Sequence, residues 1–491
     1  MTKPRISSLP VITVLFTVLS LTVASSISAL GQSPNDVPII DLGYARYQGV
    51  FDDVNNLTSY LGIRYAAAPI GDLRWRAPQA PASNDSTVQQ ANIGPNPCFQ
   101  ATSGNASTNP FVRRDLAATD SPEDCLFLNV FFPGNDVPTK PLPTLFWIHG
   151  GGYIEGGAFL APGADLLRES DNEIVVVVVQ YRLGLFGFLA GSEVKANGDL
   201  NAGLLDQDFA LRWVQEHISK FGGDPAKVTI WANLLHIVAH DGKTSPQLFR
   251  GAMTSSTYLP SQYLYNDTIP ELLYSGVVEG SNPVVDGTFI TQRPTLSLEQ
   301  RKLNGKAFLA VTNANEGNIF VDQTNPIENV TLYASSLFPE LSSELAQRIA
   351  ELYADLGTPL VQEELILGEC NIPRGYSDNG FKTISVRESS RSFLEIMVKT
   401  WDITFPGTPI VNNTDFLAAF QGGFLSFVVN QNPNDKIIPT TPPWDLYSKG
   451  RTEMVFNVTA SNLTDLHTVN TNEDLIERCN FWHSIGESIA Q

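Results

Sequence analysis

Histidine, cysteine and positive charge are scarce in this sequence, and each scarcity narrows what the protein can be. Six histidines and four cysteines in 491 residues give little material for a metal centre. None of them is read as a His–His or His–Cys ligand pair, so no metal is expected. Lysine and arginine number 31 against 51 aspartates and glutamates, a formal charge of −20 with a pI near 4.7. Such a field repels phosphate backbones and anionic lipid headgroups, which argues against a nucleic-acid partner. After the first residues no apolar stretch approaches the ~20 residues of a spanning helix, so no integral membrane segment is expected in the mature chain. There is no P-loop lysine and no dinucleotide glycine spacing, so no nucleotide cofactor is called for.

What is present begins with an export leader. Lys3 and Arg5 precede the apolar run VITVLFTVLSLTVA and the small residues SSISA, the arrangement of a secretory signal over residues 1–29. Export makes disulfides available to Cys98, Cys125, Cys370 and Cys479. It also exposes eight Asn-x-Ser/Thr sequons, at Asn56, Asn84, Asn105, Asn266, Asn329, Asn412, Asn457 and Asn462, to glycosylation. The expected location is extracellular.

With 43% hydrophobic residues and 17% charged, the remainder is rich enough in apolar side chains for a large core. The stretch DLGYARYQGVFDDVNNLTSYLGIRYA alternates apolar and polar residues between turns and predicts an antiparallel meander. From about Leu126 the pattern changes to unbroken apolar runs, LFLNVFF, TLFWIHG, IVVVVVQYRLG, KVTIW and LFRGAMTSS, as in strands buried on both faces. Between them NAGLLDQDFALRWVQEHISKFGGDP has helical spacing, with Gly222 beyond its end. Strands alternating with helices predict a mostly parallel α/β sheet. Farther on, SLEQRKLNGKAFLAVTN and SSELAQRIAELYADLG contain stretches that read as helices, and TDFLAAFQGGFLSFVVNQ reads as helical despite its paired glycines. No repeat or linker divides the chain, so residues 30–491 are expected to form one domain.

In FWIHGGGYIEGG, glycines 150, 151 and 152 follow His149 at a strand end. Three glycines let successive N–H groups face one point, as stabilisation of an oxyanion requires. This segment, with SYLGIRYAAAPIGDLRWRAP, SPEDCLFLNV, VVVVVQYRLGLFGFL, TNANEGNIF and ERCNFW, resembles the type B carboxylesterase/lipase family in motif and in order. That family contains cholinesterases and secreted fungal lipases. The resemblance implies an α/β-hydrolase fold, a central mostly parallel sheet flanked by helices, and a Ser-Glu-His triad without cofactor. It implies Glu316 as the triad acid, Gly151 and Gly152 as oxyanion donors, and a disulfide between Cys98 and Cys125. The pairing of Cys370 and Cys479 stays open.

The sequence departs from the family at the chemistry itself. The serine should stand on a G-x-S-x-G turn directly after KVTIW, but Trp231 runs into ANLLHIVAHDG and no G-x-S-x-G occurs anywhere. Ser255 and Ser256, at the end of the next strand, read as ordinary strand-end residues, and Asn233 and His236 offer no nucleophile. The histidine should precede the helix TDFLAAFQGGFLSFVV, yet RSFLEIMVKTWDITFPGTPIVNN contains none. His467 and His483 lie in the wrong context. Whole blocks are missing here, as also before VVDGTF and after Cys370, so the fold is expected to be locally disrupted and apolar sheet uncovered beside the shortened crossover after Trp231.

Three readings follow. The preferred one is a gene for a secreted carboxylic ester hydrolase, acting on small-molecule or lipid esters, whose sequence here lacks exons. The others are a non-catalytic cholinesterase-like binding protein and the product of a decayed gene. In each, the chain as written keeps only the acid and part of the oxyanion hole, and is expected to be nearly inactive.

Overall fold

The computed structural model describes residues 37–100, 123–160, 163–232, 234–255, 259–274, 282–313, 329–354, 382–388, 413–435, 439, 441–459, 461 and 463–490. The strands are β1 (Ile39–Asp41), β2 (Ala45–Gln48), β3 (Val50–Asp52), β4 (Leu57–Arg64), β5 (Asn84–Gln90), β6 (Phe127–Pro133), β7 (Leu142–Ile148), β8 (Val175–Val179), β9 (Gly223–Trp231), β10 (Gly251–Ser255), β11 (Ala307–Asn313), β12 (Lys382–Glu388), β13 (Thr452–Val458) and β14 (Thr464–Asn470). The helices used below are α1 (Gly163–Glu169), α2 (Ala202–His217), α3 (Leu235–Val238), α4 (Val330–Leu337), α5 (Ser343–Leu352), α6 (Thr414–Asn430) and α7 (Glu473–Ser484).

Eleven strands form the large sheet in the order β14-β13-β12-β11-β10-β9-β7-β8-β6-β4-β3, and β1-β2-β5 form a small one. Pairing is parallel from β8 through β13, and β14, β6, β4 and β3 add antiparallel edges. The sequence prediction of a parallel centre with an antiparallel meander at its start therefore holds. One detail differs: the run LFLNVFF is β6, antiparallel to β8. In SLEQRKLNGKAFLAVTN the helix expected there ends at Glu299, and AFLAVTN is the parallel strand β11. A short apolar run carries no period that separates a buried strand from a buried helix.

Side-chain alternation along each strand sends residues to two cores. In β8, Val175, Val177 and Val179 join Phe146, Ile230 and the α2 residues Leu204, Leu211 and Val214 on one face. Val176 and Val178 join Leu145, Trp231, Met253, Leu166 of α1 and Phe424 of α6 on the other. The helix predicted over NAGLLDQDF… is α2, and the chain turns out of it at Gly222 with φ +78°, a left-handed conformation that favours glycine. A smaller core joins α4, α5 and α7 through Phe338, Ile349 and Trp482.

Between β9 and β10 the crossover is one short helix, α3, and a 3-10 turn. The expected uncovering of apolar sheet does not occur there. Leu234, Leu235, Ile237, Val238 and Ala239 are all buried and share a core with Ile230, Ala252, Phe289 and Phe308. Five buried apolar residues within a six-residue stretch do the covering that a longer helix would do, with Phe289 and Ile290 completing it. No helix among the described residues is long and apolar enough to cross a membrane.

Candidate functional site

Parallel sheets present ligand sites at the carboxyl ends of their strands. Here β7 and β9 are direct neighbours, with Trp147 opposite Trp231, so their exits lie side by side at one end of the sheet. The β7 exit carries the glycines. Gly151 has φ +112° and Gly152 φ +59°. A Cβ on Gly151 would collide with the Glu155 carbonyl, so both conformation and space require glycine there. The Gly151 carbonyl accepts from the backbone N–H groups of Ile154 at 3.0 Å and Glu155 at 3.1 Å, closing the turn. Neither Gly151 nor Gly152 donates a backbone hydrogen bond among the described residues, which leaves two donors unspent.

The shell behind this loop is polar and well bonded. His149 is buried, its Nδ1 lies 2.8 Å from the Gly150 carbonyl, and its ring stacks on Tyr181 at 4.4 Å. Burial drives its pKa down to about 4, partly offset by the bond to Gly150. The Tyr181 hydroxyl donates to the His149 carbonyl at 3.0 Å. Gln100 bonds both backbone groups of Gly156, and Gln180 Nε2 reaches the Cys125 carbonyl at 3.1 Å. Cys98 and Cys125 are joined as a disulfide, so the bridged loop is tied to the glycine segment through these two glutamines. Cys479, buried on α7, is also disulfide-bonded. Arg182, just after β8, forms a buried bidentate pair with Asp206 of α2, with both contacts at 2.7 Å. Two further pairs, Arg64–Asp124 and Arg74–Glu123, fasten the meander to the segment before β6.

The β9 exit contrasts with this. After Trp231 the chain bends at Ala232, whose N–H donates to the Met253 carbonyl at 3.0 Å, and then enters α3. Asn233 lies outside the described residues. Trp231 packs at 4.6 Å on Trp147 and at 5.7 Å on Phe424, and its indole N–H donates to Ser255 Oγ at 2.7 Å. Ser255 thus serves as an indole acceptor, and Ser256 lies outside the described residues. This Trp147–Trp231–Phe424–Ser255 group was not foreseen; a tryptophan closing KVTIW beside FWIHG was the available signal.

The remaining histidines do not supply a base at this exit. His236, four residues before His240, is buried with Nε2 2.7 Å from Gln207 Oε1, and burial lowers its pKa to about 4. His240 Nδ1 lies 3.1 Å from the Thr288 carbonyl, so the two rings, at a spacing passed over in the sequence, bond to separate partners. His467 is exposed on the edge strand β14, with Nδ1 2.9 Å from Asp465 Oδ1. Five strand steps separate β14 from β9, a distance of about 24 Å at ~4.8 Å per strand. His483 is on α7, whose apolar face belongs to the separate α4–α5–α7 core. Glu316 follows the end of β11 and lies outside the described residues, as do Asn105, Asn412 and Asn462. Of the other sequons, Asn56, Asn84, Asn266 and Asn329 are exposed, and Asn457 is half-buried with Nδ2 donating to Asp465 Oδ2 at 2.8 Å.

A mostly parallel sheet flanked by helices, with a glycine turn at a strand's carboxyl end, is the architecture of the α/β-hydrolase fold. Comparison with known proteins agrees. Residues 36–270 match the family model described as "Carboxylesterase family". Secreted lipase 1 of Botryotinia fuckeliana (strain B05.10) is 29% identical over 493 aligned residues, covering 80% of this chain and 84% of that protein. Mouse carboxylesterase 1E is 38% identical over 204 residues, 40% of this chain; the match spans only 35% of that relative. The crystal structure of Aspergillus niger EstA superimposes with a TM-score of 0.77 at 26% identity, over 94% of this chain and 100% of that one. Residues 36–270 thus match the carboxylesterase family, and the chain shares its fold with esterases of the α/β-hydrolase superfamily.

Proposed function

We propose that the complete gene product is an exported carboxylic ester hydrolase and that the polypeptide as it stands forms no acyl-enzyme. One observation carries the second half: β9 leaves the sheet at Trp231 into Ala232 without a serine-bearing turn. The one described serine beside it, Ser255, gives its oxygen to the Trp231 indole. Acyl transfer needs a hydroxyl standing clear of the sheet with a base in reach. The glycine donors Gly151 and Gly152 would still polarise an ester carbonyl, and Glu316 would be the remnant acid. An oxyanion site alone supports only weak acceleration, because losing the triad costs about 10⁶ in turnover. The substrates of the complete enzyme would be small-molecule or lipid esters, attacked by serine and released by water. Export and glycosylation are supported by the leader over residues 1–29 and by the name of the secreted fungal relative.

Sequencing of the message across the Trp231/Ala232 junction tests the first half. Extra coding sequence restoring a G-x-S-x-G turn is expected, and continuous message there refutes it. A second reading, a folded non-catalytic binding protein, is favoured by the closed packing of residues 234–239 over the sheet. Cooperative melting of the purified chain together with absent fluorophosphonate labelling is its signature, whereas an aggregate speaks for the missing-block reading.

A further inference from the structure

A sheet edge is a row of unpaired backbone groups, and proteins blunt it with charge, proline, bulges or a cover. The large sheet has two edges, β3 and β14. β14 reads TDLHTVN and exposes mostly polar side chains, Asp465 and His467 among them. β3 reads VFD, with Val50 44% exposed and Val54, in the following turn, 87% exposed. Its charges are Asp52, whose carboxylate is engaged within the turn, and Asp53 just beyond the strand; no lysine, arginine or proline stands between Val50 and Thr58. The β3 edge is therefore the more apolar of the two, blunted by its shortness and by Asp53 alone.

The turn joining β3 to β4 ends on Asn56 of the sequon Asn56-Leu57-Thr58. Asp52 organises this turn, accepting from the backbone N–H groups of Val54 at 3.0 Å and Asn55 at 3.1 Å and from Asn55 Nδ2 at 2.6 Å. Asn56 adopts φ +50°, a left-handed conformation that asparagine tolerates, and its carbonyl accepts from the Gly134 N–H at 2.8 Å. Its backbone is thus fixed, while its exposed side chain makes no hydrogen bond among the described residues. Asn457 differs, because its Nδ2, the atom a glycan would take, is engaged by Asp465.

We infer that an N-linked glycan on Asn56 shields the β3 edge against pairing with a second copy of this chain. A bulky, solvated group at the end of a three-residue strand obstructs the approach of another strand along Val50–Asp52, the protection that its own side chains do not give. The inference rests on the export reading above, since the modification requires the secretory route.

The test uses the full chain secreted from a eukaryotic host. Peptide mass spectrometry reads occupancy at each sequon, and light scattering against concentration reads self-association. Expected results are an occupied Asn56 and a monodisperse wild type. Association should rise severalfold in Asn56→Asp, which retains the left-handed turn, and return to the wild-type level in the Val50→Lys/Asn56→Asp double variant. Enzymatic removal of glycans from the folded wild type supplies a measurement independent of whether the variant folds, and should reproduce the rise. Occupancy elsewhere with Asn56 bare, a monodisperse deglycosylated protein, or association that Val50→Lys leaves unchanged overturns the inference alone. A chain secreted without any glycan overturns the inference alone, whereas a chain retained inside the host and unglycosylated overturns the export reading and the inference together.

Discussion

The exits of β7 and β9 are adjacent, yet they kept different things. The β7 exit retains a backbone device: Gly151 and Gly152 in positive φ, backed by His149, Tyr181, Gln100, Gln180 and the disulfide. The β9 exit carries no such turn and is closed by apolar side chains, Leu234, Leu235, Ile237, Val238 and Ala239 in one core and Trp231 against Trp147 and Phe424 in the other. The glycine turn is held by polar partners on several elements, so its shape does not depend on the segment that follows β9. A nucleophile turn depends on the few residues between one strand and one helix, so on the proposed reading its absence is enough to prevent acyl transfer. On the reading proposed above, folding and catalysis separate: the sheet is formed while the turn that would carry the nucleophile is absent from the sequence.

That comparison predicts where stability resides. On the glycine side, Asp206→Ala strands the buried Arg182 guanidinium, and a loss of about 3–5 kcal/mol is expected from breaking a buried pair, measured by urea denaturation. On the shortened side, Leu235→Ala should cost about 2–5 kcal/mol if α3 is native core; a neutral result would mean that the crossover is not packed as described. Acid should weaken the protein through its buried imidazoles. The folded-state pKa values of His149 and His236 are depressed to about 4 from 6.5, so the unfolded chain binds more protons below 6.5. Stability contributed by these neutral rings is present above that value and falls as pH drops towards 4, which melting temperatures between pH 7 and pH 4 will show. Smallest of all, Ser255→Ala removes the acceptor of the Trp231 indole and should cost about 1 kcal/mol with no change in any residual ester hydrolysis. A large fall in hydrolysis would instead make Ser255 a nucleophile.

Much of this was legible in the sequence because it depends on period and punctuation. The apolar runs gave β6 to β10, the spacing from Leu204 to Ile218 gave α2, and the glycine triplet marked the turn after β7. The absence of a serine after KVTIW could be read directly, since a missing residue type needs no coordinates. What could not be read was compensation. Whether Leu234–Ala239 would cover the sheet depends on Phe289 and Ile290, some fifty residues away, and on Phe308 of β11, contacts that no local pattern encodes. The same limit left AFLAVTN unmarked as a strand, because its strand character comes from pairing with β10 and β12.

The most direct measurement is titration of the purified, folded chain with a fluorophosphonate, followed by intact-mass analysis. The absence of a serine-bearing turn after Trp231 predicts an unmodified mass at saturating reagent, whereas a stoichiometric phosphonyl adduct on any serine would contradict it.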